Sequence, residues 1–327
     1  MIKKFITRVG TFFGIQAILL SCVLPVYIQN RDKAVHQSYI AATIDKHELL
    51  SKQSGPKLIF VGGSSVAFGI DSEYIAEKIG YSPVNMGLHW GFGLEFFLRE
   101  IEYQLRPEDI VVLSLEYDHF VSQKPAVVER LFLALESRPR NVQIVPAYYL
   151  PSLFDKALIQ LGSMLRKTKR SLEGSLEIHE IYRRSSFNAV GDMVKHHSHK
   201  SEDLSQTQRD LSNVTSQKAQ RAVHMLNDFT ERAERLGATV VYSYPPFLRH
   251  VFESNEKEIN LIQQELQANA KFMIIDQPED FALTGEYFFD TEYHLNLLGK
   301  QLRARHIVQK LRMYAPKAIS QVENRRP

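Results

Sequence analysis

Five short apolar runs punctuate the chain, at 57–61, 83–86, 110–115, 239–243 and 272–275, each flanked by turn residues. They are continuous rather than alternating and too short for helices, which is the pattern of strands buried on both faces. Between them, helical patterns cover 72–79, 94–105, 216–236 and 256–270, with a last one over 297–313. Gly80, Pro107 and Gly237 stand where the first three should stop. Strands separated by helices predict an α/β fold, a three-layer sandwich around a parallel sheet.

The longest apolar run lies apart from this rhythm. Residues 9–28 count 20 positions, which at about 1.5 Å per residue span about 30 Å, the hydrocarbon thickness of a bilayer. Gln16 is the one strongly polar side chain in it, Lys3, Lys4 and Arg8 precede it, and no small-residue cleavage site ends it. The run reads as an uncleaved signal anchor, a transmembrane helix within 1–30 that leaves the rest of the chain outside the cytoplasm, which is the periplasm if the cell is Gram-negative. A cleaved signal peptide and a lipoprotein signal at Cys22 are the alternatives. Residues 31–56 read as a polar linker closed by Ser54-Gly55-Pro56, and 57–327 as the α/β domain. From about 120 to 210 the strand rhythm stops, which marks a helical and polar insertion, a lid or a partner surface.

Composition narrows the classes. The chain has 327 residues, 44% hydrophobic, with a formal charge of +3 and a single cysteine. Disulfide-stapled, collagen-like and wholly disordered proteins are excluded, and so slight a charge excess gives no nucleic-acid footprint. His196, His197 and His199 form the one histidine cluster, but Lys195, Ser198, Lys200 and Ser201 surround them with no supporting cysteine or carboxylate spacing. They read as a solvated loop. No metal and no cofactor is expected.

Chemistry belongs beyond the carboxyl ends of the strands, where open α/β sheets collect ligands. The first strand runs into Gly62-Gly63-Ser64-Ser65, the second into Asn85-Met86-Gly87, and the last loop carries Asp290-Thr291-Glu292-Tyr293-His294. A hydroxyl, an imidazole and a carboxylate thus meet on one edge. A serine hydroxyl is a poor nucleophile until an imidazole takes its proton, and a carboxylate must fix that imidazole's tautomer. The developing oxyanion needs backbone donors, which the amides of Ser64 and Gly87 would supply. His89 and Trp90 would line a sugar subsite and Tyr244 would border the cleft. Asp118 and His119, which also follow a strand, are a rival acid–base pair.

These blocks resemble those of the SGNH (GDSL-like) hydrolase superfamily. Gly62 to Ser65 resembles its first block, Asn85-Met86-Gly87 its second, and Asp290 to His294 with Leu295-Asn296 its last. The anchored layout looks like extracytoplasmic members of polysaccharide-acetylation systems, including alginate-acetylation and DltD-like proteins. The resemblance implies a flavodoxin-like sandwich and acyl-ester chemistry, with Ser64 as nucleophile, His294 as base and Asp290 as its orienting partner. Three departures stand out: Gly63 replaces the usual aspartate, the third block offers Glu116 and no asparagine, and Asp290 precedes His294 by four positions, with Glu292 as a conceivable substitute. The expected function is acyl transfer to, or removal from, a cell-surface glycan. A small-ester carboxylesterase and a catalytically silent, glycan-binding or scaffolding partner of a membrane acyltransferase are the rivals. The expected partners are the glycan or ester, the membrane, and such an acyltransferase.

Overall fold

The computed structural model describes residues 32–121, 128–166 and 180–314. The apolar run at 9–28 lies outside them, and among the described residues no helix is long and apolar enough to cross a membrane.

The strands are β1 (Lys57–Val61), β2 (Ser82–Asn85), β3 (Ile110–Leu113), β4 (Thr239–Tyr242), β5 (Phe247–Leu248), β6 (Met273–Ile274) and β7 (Ala282–Leu283). The five apolar runs form one parallel sheet in the order β2-β1-β3-β4-β6, while β5 and β7 pair in a separate two-stranded ribbon. Register is tight at the centre, where Leu58 opposes Ile110 and Val61 opposes Leu113.

The principal helices are α1 (Ala42–Lys52), α2 (Ser64–Gly69), α3 (Ser72–Ile79), α4 (Leu94–Glu102), α5 (Val128–Ser137), α6 (Leu150–Arg166), α7 (Ser216–Arg235), α8 (Glu256–Asn269) and α9 (Leu297–Tyr314). Successive strand side chains point to opposite faces, so each run feeds two cores. Ile59, Val61, Val111 and Leu113 pack with Leu50, Phe97, Ile101 and Phe229 from α1, α4 and α7. Leu58, Phe60, Ile110 and Val112 pack with Ile75, Ile79, Ile307 and Leu311 from α3 and α9. Each such side chain is worth about 1.5–3 kcal/mol when fully buried, so both helix layers are held by the sheet rather than by helix propensity. Caps set the boundaries: the Asp71 side chain accepts the Tyr74 N–H at 3.2 Å, and Gly80 closes α3 in the left-handed region at φ 82°.

Two expectations change. Of the stretch expected as a linker, 31–56, the described residues 32–56 are built into the domain: Tyr39, Ile40 and Leu50 are buried, and Lys46 donates to the backbone oxygen of Asn85 at 2.8 Å. Its sequence looks polar because its buried face itself carries Thr43, Lys46 and His47. The 120–210 stretch forms no strand among its described residues, as expected, but its end is sewn to the sheet. Asp192 accepts from Ser72 N at 2.8 Å and Asn85 Nδ2 at 2.7 Å, and Asn85 N donates to Val190 O at 2.9 Å. Those bonds carry Tyr182 to the carboxyl edge of the sheet.

Candidate active site

Ser64 stands at the first position of α2, immediately beyond β1. An N–H at that position has no intrahelical partner, and among the described residues nothing accepts that of Ser64. Ser64, His89, Glu116, Tyr182 and His294 line one cavity of about 430 Å³. Four residues on, on the same face of α2, Phe68 supports the imidazole: its ring stacks on His294 at 4.1 Å between centroids and 6° between planes. The helix that carries the hydroxyl therefore also seats the imidazole.

His294 Nδ1 lies 2.8 Å from Asp290 Oδ1. The four-residue spacing works because the intervening loop folds back, with the His294 N–H on Thr291 Oγ1 at 3.2 Å and Phe289 N on His294 O at 2.8 Å. Asp290 also accepts from the Tyr182 hydroxyl through Oδ2, and that hydroxyl is 3.1 Å from His294 Nδ1. Burial pushes the Asp290 carboxyl up, but the hydrogen bond and charge of His294, with the Tyr182 bond, outweigh it and hold the group below its ordinary value. Burial and then the charge of Asp290 hold the Tyr182 phenol far above its own, so it stays a donor. The carboxylate is thus met by two donors, Nδ1–H is fixed, and Nε2 is left as the basic nitrogen. Among the described residues no hydrogen bond joins Ser64 Oγ to His294; the two share the cavity. Tyr182 had no sequence signal, since it sits in a stretch without periodicity and meets residues more than a hundred positions away.

The oxyanion side differs from expectation. Gly87 donates its N–H to Asn85 Oδ1 at 2.9 Å and does not line the cavity. Its lack of a side chain serves packing: a Cβ there would lie 2.5 Å from Ala67 N. Glu116 is 1% exposed and turns toward the serine loop, accepting the N–H of Gly63 at 3.2 Å and of Ser65 at 2.9 Å. Both N–H groups lie at the start of α2, where the first amides have no intrahelical partner and the Glu116 oxygens accept them instead. They also explain Gly63. A Cβ at that position would lie 2.4 Å from Glu116 Oε1, so the carboxylate from beyond β3 fills the space that an aspartate at 63 would need.

Of the proposed substrate contacts, His89 and Trp90 line the cavity, and Arg209 lies over the Trp90 ring at 5.5 Å. Tyr244 does not: it is wholly buried behind the sheet edge, its N–H on Asp276 Oδ1 at 2.8 Å. Of the rival pair, Asp118 also lines the cavity. Asp118 is held by Arg209, and the two ring nitrogens of His119 face the backbone oxygens of Glu116 and Trp90 at 2.9 and 3.1 Å. Glu292 faces Arg209 at 3.6 Å and leaves His294 to Asp290. The histidine cluster is not a solvated loop throughout. His196 is buried against Phe68 at 4.8 Å, with Nε2 on Leu295 O at 3.0 Å, and burial lowers it to about 3. Among the described residues no group of three or more histidine, cysteine or carboxylate side chains is placed to hold a metal ion. No protein-family model matches the chain, and no curated protein matches it significantly.

Proposed function

We propose that this chain is an anchored, extracytoplasmic serine enzyme of SGNH type, with a flavodoxin-like sheet, that moves a short acyl group onto or off a cell-surface glycan. The observation that carries the reading is the Asp290–His294 pair seated on Phe68, in one cavity with Ser64, at the carboxyl ends of β1 and β3 where the strand order reverses. In the reaction, Ser64 Oγ bonds to the ester carbonyl carbon, its proton passes to His294 Nε2, and the carbonyl electron pair moves onto oxygen. Collapse expels the alcohol, protonated by His294, and leaves an acyl-serine that a glycan hydroxyl or water then releases. Asp290 and Tyr182 hold the imidazole.

A second reading, a silent glycan-binding or scaffolding partner of a membrane acyltransferase, is favoured by the oxyanion side, where Gly87 is engaged and Glu116 borders the cavity. A fluorophosphonate probe separates the two. Labelling of full-length protein at Ser64, abolished in Ser64→Ala, supports the enzyme; no labelling together with glycan binding supports the scaffold.

A further inference from the structure

An acyl transfer needs donors for the oxyanion, and the cavity lacks two that the serine mechanism ordinarily uses. The Gly87 N–H is spent on Asn85 Oδ1. The segment beyond β3 supplies a carboxylate, Glu116, and no amide side chain. Ser64 N–H alone is a thin oxyanion site, since removing a single donor from such a site costs about 10²- to 10³-fold in rate.

Other donors line the cavity, Arg130 and Arg209 among them, and His89 is the one that follows directly on the second block. His89 follows Gly87 by two residues and lines the cavity with Ser64 and His294. Its Nδ1 accepts the Gly91 N–H at 3.0 Å as it caps the short turn Trp90–Phe92. An imidazole nitrogen that accepts an N–H carries no proton, so in the neutral ring the proton sits on Nε2. Burial, and after it the nearby charges of Arg130 and His294, push His89 down to about 4, so the ring is neutral at ordinary pH. Neutrality matters here, because a neutral imidazole donates a hydrogen bond to a developing negative charge without giving its proton away. The ring is also held by aromatic neighbours, with Trp90 at 6.1 Å and Phe92 at 6.2 Å.

We propose that His89 is a catalytic residue whose Nε2–H, with the Ser64 N–H, receives the oxyanion in place of the second- and third-block donors. The assignment rests on the serine mechanism proposed above. As Ser64 Oγ bonds to the carbonyl carbon, the oxygen gains the π pair and takes hydrogen bonds from both donors; on collapse the pair returns and the bonds slacken. No proton leaves His89.

The test uses the full-length chain and p-nitrophenyl acetate as the ester probe, with its thiono analogue as a reporter of the oxyanion site, since sulfur accepts hydrogen bonds more weakly than oxygen. His89→Ala should lose about 10²- to 10³-fold in kcat with little change in KM. The preference for oxygen over sulfur should shrink with it, a change that altered packing does not produce. His89→Gln, which keeps a side-chain N–H, should recover part of the rate. Wild-type kcat and an unchanged oxygen-to-sulfur ratio in His89→Ala, with Ser64 still labelled by fluorophosphonate, overturn the role of His89 and leave the serine mechanism standing. Absence of fluorophosphonate labelling in the wild-type chain overturns both.

Discussion

The two sides of the cavity are built on different principles. On the acid–base side, His294 and Asp290 come from one loop, Phe68 from the serine helix and Tyr182 from a distant segment, and every contact serves to hold one imidazole. On the oxyanion side, Gly63, Gly87 and Glu116 have their polar groups engaged with one another or with their neighbours. The difference teaches which part of such a site is replaceable. A base must combine tautomer, orientation and a free nitrogen, and few side-chain sets do that. An oxyanion needs only N–H groups at the right place, and backbone or side chain will serve.

The largest expected effect that would break this contrast is on the acid–base side. Asp290→Asn should lower ester turnover by on the order of 10² to 10⁴, because an amide no longer fixes Nδ1–H. Because the Asp290 carboxyl is held below its ordinary value, it contributes stability that is complete above the unfolded carboxylate value of about 4. That contribution is lost as pH falls through the folded value. Urea melts of wild type and Asp290→Asn should therefore differ at neutral pH and converge in acid; a gap that widens in acid would contradict the pairing.

On the other side the effect should fall on stability. Glu116→Gln leaves one buried amide facing a donor and should cost about 2–4 kcal/mol in urea unfolding. Gly63→Ala should be destabilising for the same reason seen from its partner, and most of that cost should vanish in a Glu116→Ala background, where the carboxylate no longer fills the space. Full additivity of the two would show that Gly63 answers to something other than Glu116.

How far these contacts could be foreseen depended on range. Strands such as Ile110–Leu113 and helices such as Ser72–Ile79 were legible because apolar runs, caps and breakers are local. The ribbon of Phe247–Leu248 with Ala282–Leu283 has two residues a side, too few to show any period. Ser64 stood out at a strand end, and Asp290 and His294 stood out in the loop before the last helix, because each falls in a short local motif. Tyr244 also ended a strand, yet the chain turns it into the core, and strand ends alone do not tell inward from outward. The role of Glu116 was half visible in Gly63: an absent side chain in one block left room for a carboxylate from another, which only the fold could bring together.

A smaller effect sharpens the acid–base side. Tyr182→Phe removes one donor from Asp290 and should slow turnover by on the order of 10- to 10²-fold, the worth of one hydrogen bond to a charged group. Without that donor the carboxyl rises, so the stability lost on acidification should begin to fall at higher pH than in wild type. Unaltered turnover would reduce Tyr182 to packing. Smallest of all, Tyr244→Phe should leave turnover unchanged and stability within about 0.5 kcal/mol, since among the described residues its hydroxyl has no partner. A clear loss of turnover would return Tyr244 to the cleft.

The central claim is that Ser64 and His294 act as one unit, and a double-mutant comparison tests it most directly. Turnover of p-nitrophenyl acetate is measured for full-length Ser64→Ala, His294→Ala and the double variant, each with its fold checked by circular dichroism. If the hydroxyl attacks and the imidazole takes its proton, each change disables the same step, and all three should fall to nearly the same residual rate. Losses that multiply in the double variant, or near-wild-type turnover in Ser64→Ala, would contradict the account.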